Sequence, residues 1–299
     1  MDFLSTEAFP SLDELHISFR RQVDILGPVS RSIAELISKG CPQGWKTLGF
    51  KDKSHIFDSS IISAVFEHCS TLENFRIELN LEFNSARIQK LLCSSPRLKR
   101  LDICPRDFGR GQLPEDWLMM ADDICEDWVC LGLESFRCLI GGIPRPDVQT
   151  AVYSGEPLES ELHDPEKYSR QQSRQVQEKV LAQLGRLTSL KDLTLGVDPK
   201  VNYGRCGSSC CDGVRHLPDE EYCIIMGLPF DIAHNHQSLS MALQDGLDQL
   251  RELKSLRRLQ VDKMSLRIED KEREWMKANW PECDGLWQDP FWTSRGYPA

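Results

Sequence analysis

Residues 69–104 read CSTLENFRIELNLEFNSARIQKLLCSSPRLKRLDIC and contain one pattern twice. Leu72, Phe75 and Ile77 stand in an L-x-x-L-x-L frame, and Leu98, Leu101 and Ile103 repeat it 26 residues later. Alternation over so short a run predicts a half-buried strand. Between the two frames, Ile88, Leu91 and Leu92 are apolar at helical spacing. The stretch therefore predicts a strand, a helix and a return to the next strand.

The frame recurs outside this stretch, with first positions at 12, 45, 72, 98, 133, 190 and 256. Leu12, Leu15 and Ile17 form the first copy, and Trp45, Leu48 and Phe50 a degenerate second. Leu133, Phe136 and Cys138, then Leu190, Leu193 and Leu195, then Leu256, Leu259 and Val261 complete the set. The steps of 33, 27, 26, 35, 57 and 66 residues begin near the leucine-rich-repeat period and lengthen later. Helical segments are expected at 29–40, 59–69 (opened by Asp58 or Ser59), 115–130, 174–187 and 238–253, with a charged helix after 262. Each unit is too small to bury its own apolar face, so neighbours must stack. The predicted fold is α/β: a leucine-rich-repeat solenoid with parallel strands on its concave face and helices on its convex face. One domain spans 1–299, with long insertions at about 144–171 and 197–237 and a C-terminal cap at about 262–299. Trp275, Trp280, Trp287 and Trp292 in that tail are expected to cover the last repeat, an exposed partner patch being the alternative.

Hydrophobic residues make up 40% of the chain and charged residues 27%, as in a folded water-soluble domain. No run approaches the roughly 18 apolar residues of a membrane span, and the N-terminus lacks the pattern of a secretory signal. A net charge of −10 opposes general nucleic-acid or anionic-membrane binding. The twelve cysteines are expected to be reduced, which places the chain in the cytoplasm or nucleus.

Phosphate-loop, nucleophile-elbow, zincin and dinucleotide motifs are all absent from the sequence, so no enzymatic activity and no cofactor are expected. Cys206, Cys210, Cys211, His216 and Cys223 are the candidates for metal ligation. A zinc site is usually built from paired Cys-x2–4-Cys knuckles; Cys206 and Cys210 could make one, with His216 or Cys223 as partners. A metal- or redox-responsive protein built on this cluster is the alternative reading.

If the frame leucines point inward, alternation sends the intervening residues to the concave face. The expected partner-binding set is Asn74, Arg76 and Glu78; Arg100 and Asp102, with Cys104; Ser135 and Arg137, with Leu139; Asp192 and Thr194; and Arg258 and Gln260, with Asp262. Arg76, Arg100 and Arg137 form a basic stripe, which on an acidic chain suggests an acidic or polar protein segment as ligand.

LGRLTSLKDLTLG (184–196), GLDQLRELKSLRRLQVDKM (246–264), EREWMKANWPECDGL (272–286) and WVCLGLESFRCLIGGIPRP (128–146) together resemble a family of fungal F-box-like leucine-rich-repeat proteins. That resemblance implies a substrate receptor of a cullin-type ubiquitin ligase, with the repeats holding the target and the F-box a Skp1-like adaptor. An F-box is a helical stretch opened by Leu-Pro, and this chain starts within a repeat at Phe9-Pro10-Ser11-Leu12. The adaptor is therefore expected as a partner only if an F-box lies upstream.

Overall fold

The computed structural model describes residues 12–19, 26–52, 58–78, 83–103, 119–143, 170–195, 238–261 and 268–283. The seven strands of its main sheet are β1 (Glu14–Phe19), β2 (Thr47–Asp52), β3 (Asn74–Glu78), β4 (Arg100–Ile103), β6 (Ser135–Cys138), β8 (Asp192–Thr194) and β9 (Arg258–Gln260). They lie in that order and every neighbouring pair is parallel. The two-residue strands β5 (Met119–Met120) and β7 (Ile140–Gly141) make a separate parallel pair. The protein is thus α/β, with a seven-stranded parallel sheet.

The register reproduces the sequence frame. Leu15, Leu48, Phe75, Leu101, Phe136, Leu193 and Leu259 stand side by side across all seven strands. Ile17, Phe50, Ile77, Ile103 and Cys138 make the next row. From β2 onward these side chains are buried in one apolar core. A slip of one residue in any strand would turn its apolar set to the opposite face, so the core itself holds the register.

A second row, just before the strands, ties each unit to the last. The carbonyls of Asp13, Lys46, Glu73, Lys99, Glu134 and Lys191 each accept two successive N–H groups from the following unit. Their side chains alternate in sign and close three ion pairs: Lys46–Asp13 at 2.8 Å, Lys99–Glu73 at 2.6 Å and Lys191–Glu134 at 2.8 Å.

Parallel neighbours require a crossover, and helices supply most of them. These are α1 (Leu26–Gly40), α2 (Ser59–Phe66), α3 (Ser85–Ser94), α4 (Arg170–Gly185) and, after β9, α5 (Asp270–Asn279). Their apolar faces join the frame side chains in the same core. Asp58 caps α2 by accepting from the N–H groups of Ser60 and Ile61, and Asn84 caps α3 through Arg87 N–H. At the end of α1, the carbonyl of Ile37 accepts from Trp45 Nε1 at 2.7 Å and lies 2.8 Å from His68 Nε2. A carbonyl only accepts, so His68 carries its proton on Nε2; its role is structural.

Two expected helices are replaced by other structure. Within 115–130, residues from 119 form β5, a short 3-10 turn (Ala121–Asp123) and an extended segment. Partners elsewhere in the fold satisfy this chain: Met120 N–H donates to Ser85 Oγ at 2.7 Å, and Gln89 both donates to the Glu126 carbonyl and accepts from Trp128 Nε1. Met119, Ala121, Ile124 and Trp128 are buried without needing a helix to align them. Within 238–253, two 3-10 turns (Leu243–Asp245 and Leu247–Glu252) stand in place of an α-helix. Gly246 between them has φ +100°, a left-handed conformation that ends a helix and suits glycine. Upstream, Ser240 N–H donates to Gln177 on α4 and Leu243 N–H to Glu272 on α5, so tertiary acceptors take the place of intrahelical ones.

Most of the expected insertions, 144–169 and 196–237, lies outside the described residues, as do Trp287 and Trp292. Trp280 is buried against the last unit and donates from Nε1 to the Leu250 carbonyl at 3.2 Å. Trp275 packs on it edge to face, with ring centres 5.3 Å apart. No helix among the described residues is long and apolar enough to cross a membrane.

Candidate functional site: a groove on the open face of the sheet

Strand alternation leaves two ladders of side chains on the face opposite the core. One runs Glu14, Thr47, Asn74, Arg100, Ser135, Asp192 and Arg258. The other runs His16, Gly49, Arg76, Asp102, Arg137, Thr194 and Gln260. Together they line a groove of about 780 Å³.

Of the expected binding set, Asn74, Arg76, Arg100, Asp102, Ser135, Arg137, Asp192, Thr194, Arg258 and Gln260 all line this groove. Glu78 stands opposite Lys51 in the register of β2 and β3. Cys104 and Asp262 lie outside the described residues. Leu139 does not share the face: it is buried, because β6 ends at Cys138 and the chain turns into β7. There the Leu139 carbonyl accepts from Met119 N–H at 2.9 Å, and alternation from β6 no longer governs it.

Glu14, His16 and Thr47 line the groove as well and were not among the expected residues. The signal for them was present, since they occupy the same places in the first two frames as Asn74 and Arg76 do in the third. The His16 ring covers Gly49, where a Cβ would sit 2.2 Å from Nδ1. Glycine at that position lets the imidazole lie flat against β2.

The electrostatics divide the expected basic stripe. Asp102 stands between two of the three arginines, with Oδ2 3.4 Å from Arg76 Nε and Oδ1 3.9 Å from an Arg137 nitrogen. Arg258 is paired in its own ladder, 2.5 Å from Asp192 Oδ1, and that hydrogen bond holds the guanidinium pKa above its ordinary value. Asn74 Nδ2 donates to Thr47 Oγ1 at 3.1 Å. Arg100 is exposed and, among the described residues, its side chain makes no hydrogen bond or ion pair. The lining thus combines fixed charges, amides, hydroxyls and the His16 imidazole, suited to hydrogen bonding and ion pairing, with the apolar side chains of Leu48, Phe75 and Leu259.

Cys206, Cys210, Cys211, His216 and Cys223 all lie outside the described residues. Among the described residues no group of three or more His, Cys, Asp or Glu side chains is placed to hold a metal ion. The seven described cysteines carry no disulfide. Burial pushes the Cys130 thiol up to about 12 and the Cys93 thiol, with help from the Glu126 charge, up to about 11. Such thiols are poor nucleophiles at neutral pH.

No protein-family model matches the chain, and no curated protein matches it significantly.

Proposed function

We propose that this chain is a leucine-rich-repeat solenoid that recognises a segment of another protein in the groove and does no chemistry itself. One observation carries the reading: two ladders of residues, interrupted only at Gly49, cross seven parallel strands that follow one another in chain order. An extended ligand laid across the strands meets a new pair of side chains at each, about every 4.8 Å. Several shallow contacts then sum to specificity. The site of action is the cytoplasm or nucleus, consistent with a cysteine-containing chain whose described cysteines form no disulfide.

The resemblance to fungal F-box-like repeat proteins suggests a substrate receptor of a cullin-type ubiquitin ligase. In that setting the groove takes the target, and a Skp1-like adaptor is held by an F-box preceding the repeats.

Affinity purification of the chain from its own cells, beside a Ser135→Trp variant that fills the groove centre, tests both parts. A partner lost from the variant supports recognition in the groove, and a partner retained by it overturns that site. A Skp1-like adaptor and a cullin retained by both forms support the ligase role, since the adaptor contact lies elsewhere.

A further inference from the structure

The groove lining holds four arginines, Arg76, Arg100, Arg137 and Arg258, against the three carboxylates Glu14, Asp102 and Asp192. One positive charge is left over, in a chain whose net charge is −10. Pairing locates it. Asp192 holds Arg258, and Asp102 is shared by Arg76 and Arg137. Arg100 makes no ion pair among the described residues; it stands on the central strand β4, within electrostatic reach of the Glu134 carboxylate that Lys191 holds, with the neutral side chains of Asn74 and Ser135 on either side in the ladder.

We infer that the groove selects an extended acidic segment of its protein partner, with one Asp or Glu carboxylate seated on Arg100 between Asn74 and Ser135. This rests on the reading of the groove as a peptide-recognition surface. A guanidinium pairs a carboxylate through two parallel N–H···O bonds, which fixes orientation as well as charge. The Asn74 amide and the Ser135 hydroxyl are neutral hydrogen-bonding groups at the neighbouring rungs. Asp102 sets the limit on charge. It lies two residues along the same face of β4 and opposes a dianion more than a monoanion, so the geometry favours a carboxylate over a phosphate. It also acts as a resident competitor, holding Arg76 and Arg137 away from the ligand. Asp102 is therefore a specificity-determining residue that confines anion recognition to Arg100.

The test is selection of random linear peptides on the purified chain, followed by fluorescence-anisotropy titration of the best synthetic binder. We expect selected peptides to be enriched in Asp and Glu, and one Glu→Gln change in the binder to weaken it about tenfold or more. Arg100→Ala should weaken binding by a similar factor and Arg100→Lys should restore only part, each with unaltered thermal unfolding. Asp102→Asn should tighten binding several-fold and steepen its salt dependence. Binders without acidic enrichment, or an Arg100→Ala variant of unchanged affinity, overturn the inference. So does a phosphoserine analogue that binds far more tightly than the glutamate peptide. If those binders are still lost on Ser135→Trp, the groove reading survives and only the acidic-ligand inference fails; if they persist on it, both fail.

Discussion

Asp102 Oδ2 lies 3.4 Å from Arg76 Nε, across neighbouring strands on the open face of the sheet. Both side chains keep contact with water, Arg76 at 40% and Asp102 at 27% exposure. Ion pairs of this kind contribute about 0–1 kcal/mol, because water screens them. Asp102→Ala should therefore lower stability by no more than about 1 kcal/mol in urea denaturation.

Its chain neighbour tests the register from the other side. Leu101 is fully buried, in the row that runs from Leu15 to Leu259. Leu101→Ala should cost about 2–5 kcal/mol by loss of packing, and Leu101→Asp should prevent folding by burying an unpaired charge. Circular dichroism and urea titration of the three variants would check this. Equal effects at 101 and 102 would refute the assigned faces.

Trp280 is buried in the core beside the 3-10 turn that holds Leu250. Truncation to alanine should cost about 3–5 kcal/mol. Trp280→Phe keeps much of the packing but loses part of the ring volume and the hydrogen bond to the Leu250 carbonyl, which should cost about 1–2 kcal/mol. Near-identical losses in the two variants would mean that the ring is not packed as described.

Acid should weaken the fold through the charge row before the strands. Hydrogen bonds from Lys46, Lys99 and Lys191 hold the carboxyl pKa values of Asp13, Glu73 and Glu134 below their ordinary range. A carboxylate with a lowered folded-state pKa contributes stability that is present above its unfolded value of about 4 and is lost as pH falls through the folded one. Urea midpoints should thus fall from about pH 5 downward. Salt should flatten that fall, since all three pairs are open to water. The combined Asp13→Asn, Glu73→Gln, Glu134→Gln variant should show a shallower acid limb than the parent chain.

Thiol reactivity should follow exposure. Cys125 is exposed, whereas Cys130 is buried and pushed up to about 12. Among these two, iodoacetamide near neutral pH should label Cys125 first and leave Cys130 unmodified until the chain unfolds, as read by peptide mass spectrometry. Labelling of Cys130 in the folded chain would contradict its burial.

The sequence by itself determined the seven strands of the main sheet and their register. Leu15, Leu48, Phe75, Leu101, Phe136, Leu193 and Leu259 carry the same place in one frame, and a period of two leaves no second way to bury them. Alternation then placed Asn74, Arg76, Arg100, Asp102, Ser135 and Arg137 on the opposite face, where they line the groove. The tertiary structure decided what local pattern cannot carry. Residues 238–253 have helical spacing, yet Gln177 and Glu272, distant in sequence, take the N–H groups of Ser240 and Leu243, and Gly246 turns left-handed. The electrostatic character of the groove was likewise hidden. Arg76, Arg100 and Arg137 read as a basic stripe until Asp102 is set between Arg76 and Arg137, which leaves Arg100 as the one of the three without an ion-pair partner among the described residues. Periodicity reports which face a side chain occupies, because that is a property of the backbone repeat. Pairing depends on side-chain reach across strands, which only the assembled sheet supplies.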